Sequence, residues 1–222
     1  MHYHIITLFP DSIKGYLRES IIKRAIADSK ISVSFYNPMD YTEKSKNGAL
    51  NKRVDDKPYG GGPGMVLRAE PLVKAITKAV GRKKNVQIVH FSPRGEKFTT
   101  DMAKNFVAGK KTIKHMVFIC GRYEGIDSRI EEIFSGIKVS VGDYVLTGGE
   151  LPALVMIDSI TRQIPGVLGD PDSREEERIS SGKYYTRPEV ITHKGKKYQV
   201  PDVLVSGNHK LIEEWRKENE RS

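Results

Sequence analysis

Five short apolar runs alternate with helix-like segments along much of the chain, and this alternation constrains the fold more than any other feature. The strand-like runs are His4 to Leu8, Ile31 to Tyr36, Val86 to Phe91, Met116 to Cys120 and Ile137 to Val141. The helix-like segments are Ile13 to Ala27, Glu70 to Val80, Thr100 to Val107 and Ser128 to Phe134. Strands that alternate with helices are typical of a parallel sheet with helices on its faces. The sequence therefore predicts an α/β fold.

Length, cysteine content and charge narrow the class of protein. A chain of 222 residues can bury a full hydrophobic core. Its single cysteine, Cys120, cannot form a disulfide within the chain, which suits a reducing compartment. No apolar run approaches the roughly 20 residues that span a bilayer, and the N-terminus lacks the pattern of a signal peptide. We expect a cytoplasmic protein with no membrane segment, and the net charge of +9 favours a polyanionic partner such as nucleic acid.

Two polar stretches interrupt the alternation. Residues 42–64 form a long connection that ends in DDKPYGGGPG, and connections of this length in a compact domain tend to be functional or disordered. After Gly169 the segment DPDSREEER is dense in charge and poor in apolar residues. We therefore predict a main domain of residues 1–168, a linker or mobile active-site segment of 169–183, and a small C-terminal segment of 184–222.

The C-terminal segment reads as turns followed by a helix. Residues Asn208 to Glu220 place Leu211, Ile212 and Trp215 on one helical face, and Asn208 suits the N-cap position. A segment this small buries little surface by itself. We expect it to dock on the main domain or on a partner chain.

Several familiar catalytic motifs are missing, and three glycine-containing loops remain. The chain has no GxxxxGK[ST] loop, no GxGxxG after the first strand, no CxxC pair, no HExxH helix and no GxSxG elbow. The remaining loops follow strands at 92–95, 121–125 and 141–149. Because the carboxyl ends of parallel strands meet at one edge of a sheet, we expect these loops to converge on one pocket.

The last loop, within SVGDYVLTGGELP, combines a strand end, glycine turns and a helix start. Its glycines let the backbone approach a ligand closely, and Glu150 and Pro152 suit the first turn of a helix that continues through Ile160. A ligand could therefore be held largely by main-chain groups. The alternative is that these glycines only form tight strand-to-helix turns.

These motifs together resemble a known family. The segments that carry the resemblance are DDKPYGGGPGMV, FSPRGE, ICGRYEGIDSR, SVGDYVLTGGELPALVMIDSITRQIPGVLG, YTRPEV and VPDVLVSGNH. In this order they are similar to the bacterial tRNA (guanine-N1)-methyltransferases of the SPOUT class. The resemblance implies a parallel sheet tied in a deep C-terminal trefoil knot, with a small, truncated helical C-terminal domain. It also implies a homodimer whose active site is shared between two chains.

The resemblance implies a pocket for S-adenosylmethionine. The residues carried over are Ser92, Pro93, Gly95, Gly121, Tyr123, Glu124, Gly125, Val141, Gly142, Asp143, Tyr144, Val145, Leu146, Gly148, Gly149 and Pro152. Main-chain groups at Tyr144 and Leu146 would hydrogen-bond adenine in an apolar slot. For Tyr123 and Tyr144, packing alone is the alternative.

The implied reaction is methylation of guanine N1 at tRNA position 37, beside the anticodon. Loss of the N1 proton calls for a carboxylate base, and charge on the guanine oxygen calls for a cation. Arg162 matches the family's arginine, although a helix C-terminal charge is an alternative role. Glu177 stands where the family commonly has aspartate, and Glu175 or Glu176 could serve instead, or the run could be a solvated acidic stretch. The resemblance also allows a magnesium ion near Glu124 and the base.

Recognition of tRNA is expected to rest on basic side chains. The family commonly continues through further helices beyond SGNHxxIxxWR, and we expect the shorter tail to shift binding to other cations. The candidates are Lys44, Lys46, Lys52, Arg53, Lys57, Lys194, Lys196 and Lys197. Two alternative functions remain at this point: a SPOUT methyltransferase for another RNA nucleotide, and a catalytically idle RNA-binding module.

Overall fold

The computed structural model describes residues 1–43, 53–109, 113–169 and 183–219. The chain forms two compact units, Met1–Val167 and Leu168–Ser222. The boundary between them falls beside the sequence-predicted end of the main domain at residue 168. Most of the predicted linker, including Glu175, Glu176 and Glu177, lies outside the described residues.

The first unit contains an α/β sheet and its helices. Its strands are β1 (His2–Ile6), β2 (Ser32–Tyr36), β3 (Asp55–Asp56), β4 (Val66–Leu67), β5 (Val86–Lys97), β6 (His115–Ile119) and β7 (Ile137–Ser140). Its helices are α1 (Asp11–Leu17), α2 (Ser20–Ala27), α3 (Ala69–Val80), α4 (Thr100–Ala108), α5 (Arg129–Ile133) and α6 (Glu150–Thr161), with a short 3₁₀ turn at Pro38–Tyr41.

Five strands form one sheet in the order β2-β1-β6-β5-β7, and every pair in it is parallel. Side chains alternate between its two faces, as strand geometry requires. Tyr3, Ile5 and Phe118 pack with residues of α1, α2, α4 and α6 on one face. Ile6 and Ile119 pack with residues of α3 and α5 on the other. The predicted parallel α/β fold is confirmed.

The strand order decides where the glycine loops lie. β6, β5 and β7 are consecutive neighbours at one side of the sheet. The strands are parallel, so the chain leaves each of the three at the same edge. The segments that follow β5, β6 and β7 are therefore brought together, as the sequence predicted.

The predicted helix over Ile13 to Ala27 is wrong in one respect, because it is two helices. α1 ends at Leu17, and Ser20 opens α2 with a positive φ of 48°. That backbone conformation is not helical, so the apolar periodicity continues across a break that the pattern alone does not show.

The loop predicted at Ser92 to Gly95 also differs from the structure. β5 continues to Lys97, but its register against β7 shifts between Phe91 and Glu96, both of which lie opposite Val139. Residues 92–95 thus bulge out of the ladder while the chain stays in the sheet.

The second unit contains β8 (Val190–His193), β9 (Lys196–Gln199), α7 (Asp202–Val205) and α8 (His209–Glu218). β8 and β9 form an antiparallel hairpin that the sequence reading missed. Asn208 caps α8, with its side-chain oxygen accepting a hydrogen bond from the Leu211 N–H at 3.3 Å, so the predicted cap is confirmed. Across the described parts of both units, no helix has the length and apolar character needed to cross a membrane.

Candidate functional site

A cavity of about 310 Å³ lies where the segments after β5, β6 and β7 meet. Ser92 and Pro93 contribute from the β5 bulge, Gly121 to Gly125 from the segment after β6, and seven residues of 141–149 from the segment after β7. Its volume is at the lower end of the range for small-molecule sites. The three loops singled out in the sequence therefore enclose one pocket.

Most of the sequence-predicted cofactor residues line this cavity. They are Ser92, Pro93, Gly121, Tyr123, Glu124, Gly125, Val141, Gly142, Tyr144, Leu146, Gly148, Gly149 and Pro152. Gly95, Asp143 and Val145 do not line it. The Asp143 carboxylate instead pairs with the Lys97 ammonium at 2.5 Å, and Val145 is 82% exposed.

Gly149 and Gly95 allow backbone segments to come close together. A Cβ atom at Gly149 would lie 2.6 Å from the Cα atom of Cys120, and one at Gly95 would lie 2.6 Å from the backbone nitrogen of Val139. The Gly149 N–H also donates to the Gly121 carbonyl at 3.0 Å, which joins two of the pocket loops. Only glycine fits such contacts without moving backbone.

Main-chain groups of the third loop are available to a ligand. The Tyr144 hydroxyl donates to the Val141 carbonyl at 3.1 Å, so the side chain folds back over its own loop. Among the described residues, no hydrogen bond engages the N–H of Tyr144 or of Leu146. These two donors are therefore free of protein partners in the described part of the chain.

A buried ion pair braces the pocket wall, and sequence reasoning missed it. The Arg122 Nε atom lies 3.0 Å from Glu150 Oε2, and the Glu150 side chain is only 4% exposed. Glu150 Oε1 accepts a hydrogen bond from the Thr7 hydroxyl at 2.7 Å. The Arg122 guanidinium also lies over the Phe9 ring, 4.6 Å from its centroid. The sequence offered one signal for this pair, a positive residue in GRYEG and a negative residue in TGGE. Whether the two meet depends on the order of the strands.

The second pocket loop is held against the glycine-rich connection. The Glu124 N–H donates to the Met65 carbonyl, and the Leu67 N–H donates to the Gly125 carbonyl, both at 3.0 Å. Burial and the nearby Asp55 carboxylate raise the pKa of Tyr123, whose φ of 59° is unusual for a side-chain-bearing residue. The segment GGPGMV is therefore part of the site's framework.

The two predicted catalytic residues are not brought together in the described residues. Arg162 follows α6 as its C-cap, whereas Pro152 near the start of that helix lines the cavity. Ten helical residues span about 15 Å, so Arg162 lies well away from the pocket of its own chain. Glu177 lies outside the described residues.

The fold and pocket define an α/β protein whose ligand site is built from backbone loops at the carboxyl ends of parallel strands. Comparison with known proteins identifies the family. The family model described as "tRNA (Guanine-1)-methyltransferase TrmD" matches residues 1–222. The chain belongs to this family.

Proteins named tRNA (guanine-N(1)-)-methyltransferase are similar to the chain over nearly its whole length. The protein of Thermomicrobium roseum is 43% identical over 98% of this chain and 78% of the relative. That of Clostridioides difficile is 42% identical over 98% of this chain and 91% of the relative. That of Buchnera aphidicola is 44% identical over 96% of this chain and 87% of the relative.

Proposed function

We propose that this protein transfers a methyl group from S-adenosylmethionine to N1 of guanine at position 37 of tRNA. The observation that carries the proposal is the cavity formed by the loops after β5, β6 and β7 in a member of the tRNA (guanine-1)-methyltransferase family. The net charge of +9 suits a polyanionic RNA substrate, and a cytoplasmic location is part of the proposal.

The residues around the cavity fit S-adenosylmethionine. Tyr144 and Leu146 offer main-chain donors for an adenine edge, while Pro93 and Ile126 add apolar surface. Arg122 is engaged by Glu150, so its charge is balanced and does not repel a cationic ligand. Bound there, the cofactor would supply an electrophilic methyl group on a sulfonium ion.

In the proposed mechanism, the protein removes one proton and balances one developing charge. Glu177 accepts the proton from guanine N1, with Glu175 and Glu176 as alternative bases. Arg162 stabilises the negative charge that builds on the guanine oxygen. A magnesium ion near Glu124 is part of the proposal, since this carboxylate belongs to a residue of the cavity wall.

We propose that the active site is completed by a second copy of the chain. Arg162 lies about 15 Å along α6 from the cavity of its own chain, so a cavity in the partner is the simpler place for it to act. α6 is apolar nearly all round, yet Leu151 and Val155 are 58% and 46% exposed. A helix of this kind is normally buried, and a homodimer interface over these side chains would cover it.

We propose one role for each of the three segments of the chain. Residues 1–168 form the knotted cofactor domain, 169–183 the active-site linker, and 184–222 the tRNA-binding segment. Lys194, Lys196 and Lys197 lie on or between β8 and β9, and all three are exposed. Arg53 and Lys57 are exposed near the glycine-rich connection, whereas Lys44, Lys46 and Lys52 lie outside the described residues.

The test is transfer of labelled methyl from S-adenosylmethionine to a tRNA transcript with guanine at positions 36 and 37. Wild type is compared with Glu177→Gln and Arg162→Ala, and cofactor binding is measured separately by calorimetry. We expect both variants to bind the cofactor and to lose transfer by at least about a hundredfold, as loss of an acid–base group predicts. Nucleoside analysis of the product locates the methyl group.

Three outcomes would redirect the proposal. Methylation of another nucleotide would indicate a SPOUT enzyme with a different target. Cofactor binding without transfer in wild type would favour an idle RNA-binding module. Full activity in Glu177→Gln would move the base to Glu175 or Glu176. For the shared site, we propose that Arg162 comes from one copy and Glu177 from the other. Mixing Arg162→Ala with Glu177→Gln should then restore part of the activity, because one site of the mixed dimer would contain both side chains, and no recovery would place both residues on the same chain.

A further inference from the structure

Three histidines gather at the amino end of the sheet, opposite the edge that carries the cavity. His2 and His4 are two residues apart on β1, so they share one face, and His2 lies beside His115 in the register of β1 and β6. One ring nitrogen from each of the three lies within 4.8 Å of the others. We propose that this histidine cluster is a binding site for a divalent transition-metal ion, with Zn²⁺ as the ion to test.

The spacing of the ring nitrogens suits tetrahedral coordination. His4 Nε2 and His115 Nδ1 are 3.2 Å apart. In a tetrahedral site with Zn–N bonds of about 2.0–2.1 Å, two nitrogen ligands are about 3.3 Å apart. Two ligands are thus already placed, and the third, from the half-exposed His2, needs a shift of no more than about 1.5 Å to reach the same spacing.

Neighbouring hydroxyls orient the rings as outer partners of a metal site do. The Tyr36 hydroxyl lies 3.2 Å from His4 Nδ1, and the Ser34 hydroxyl lies 2.9 Å from His2 Nε2. A histidine that binds a metal commonly uses its other ring nitrogen for a hydrogen bond, which fixes the ring and its tautomer. Here β2 supplies both hydroxyls, so three neighbouring strands build the cluster.

The ligand set selects the class of ion. Imidazole binds a metal ion in its neutral form. Three imidazoles without a carboxylate suit Zn²⁺, Cu²⁺ or Ni²⁺ rather than Mg²⁺ or Ca²⁺.

The charges that face the cluster set its expected strength. The positive charge of Lys83 disfavours positive charge at all three rings. Lys114 has the same effect at His115, and the Met1 amine has it at His2 and His115. These groups are cationic, so they weaken the binding of a further cation. We expect moderate affinity that rises when Lys83 loses its charge. His2 and His115 are only partly buried, which leaves the fourth position open to water.

The cluster is separate from the cavity. His115 begins β6, and Gly121 follows the end of that strand six residues later. Six extended residues span about 20 Å, so an ion at the cluster cannot touch a ligand in the cavity. The site would instead tie the central strands β1 and β6 together, and binding to the folded state alone would raise its stability.

The experiment titrates untagged, metal-free, full-length protein with Zn²⁺ by calorimetry and uses Co²⁺ absorption to report coordination geometry. We expect one equivalent of Zn²⁺, a tetrahedral Co²⁺ spectrum and a higher melting temperature with Zn²⁺. His115→Gln should weaken binding by at least the roughly 10–100-fold that losing an outer partner costs. His193→Gln, on the exposed hairpin, is the matched control and should change nothing.

A fourth variant, Lys83→Gln, tests the charge argument and keeps the cluster intact. Tighter Zn²⁺ binding in Lys83→Gln supports the cluster as the site, because Lys83 acts on all three rings. Circular dichroism checks that His115→Gln is folded before its affinity is read. Equal Zn²⁺ binding by wild type and His115→Gln, an octahedral Co²⁺ spectrum, or weaker binding in Lys83→Gln would overturn the proposal.

Discussion

In the unit Met1–Val167, side chains such as Tyr3, Phe118 and Met156 are fully buried, whereas no described residue of the unit Leu168–Ser222 is buried. The first unit therefore has a core of its own that can position a pocket. The second presents apolar groups such as Ile191 and Tyr198 to solvent, next to lysines. A domain can hold a small ligand with its own backbone, while a segment without a core needs a partner to cover it.

The largest difference between the two units is expected in the free energy of unfolding, when Phe118→Ala is compared with Trp215→Ala. Phe118 is fully buried and lies 5.9 Å, ring to ring, from both Tyr3 and Phe91. Its truncation should lower the free energy of unfolding by about 3–5 kcal/mol. Trp215 is partly exposed, and its ring centroid lies 6.2 Å from that of Tyr185 in an edge-on arrangement. Trp215→Ala should therefore lower the free energy of unfolding by about 1 kcal/mol. Urea denaturation followed by circular dichroism measures both, and similar losses would contradict the contrast.

The next effect compares two acidic side chains. Glu150→Ala leaves the Arg122 guanidinium without its buried partner and should lower the free energy of unfolding by about 3 kcal/mol. Glu213→Ala removes an exposed carboxylate from α8 and should change it by less than about 0.5 kcal/mol. The Glu150 variant should also weaken S-adenosylmethionine binding, measured by calorimetry. An unchanged affinity would show that the ion pair supports the fold alone.

Two glycines of the first unit should respond in opposite ways to substitution by alanine. Gly149→Ala forces a Cβ against the Cys120 backbone and should lower the free energy of unfolding by about 1–3 kcal/mol. It should also weaken cofactor binding at least tenfold. Gly15→Ala in α1 meets no atom within 4 Å and should stabilise the protein by about 0.5–1 kcal/mol. Both are read from urea titrations and calorimetry. If Gly149→Ala binds the cofactor normally, close packing of the pocket loops is not needed for binding.

The smallest effect concerns the lysines of the hairpin. Lys196→Gln with Lys197→Gln should weaken tRNA binding and lower the slope of log affinity against log salt by about one to two, if each lysine contacts a phosphate. Lys74→Gln with Lys78→Gln makes the same charge change on exposed positions of α3 and is the control. Filter binding over a range of salt concentrations gives both slopes. Equal slopes for the two pairs would assign the effect to net charge alone.

The sequence predicted the strands of the large sheet better than it predicted a break within a helix or the pairing of two exposed strands. All five sheet strands were predicted, because buried parallel strands leave continuous apolar runs, and their ends lie within two residues of the prediction except at β5, which continues six residues further, to Lys97. The helix break at Ser20 was missed because apolar spacing continues through it. The hairpin Val190–Gln199 was missed because its exposed strands lack a clean alternation of apolar and polar residues.

By itself, the sequence determined the α/β class, the three glycine loops and the family resemblance, because each is encoded in residues that are close together along the chain. Only the tertiary structure decided that Arg122 pairs with Glu150, that Gly149 meets Cys120, and that His2, His4 and His115 share a corner of the sheet. Those contacts depend on the strand order β2-β1-β6-β5-β7. Strand order is set by how helices pack on both faces of the sheet, and local sequence patterns carry no record of it.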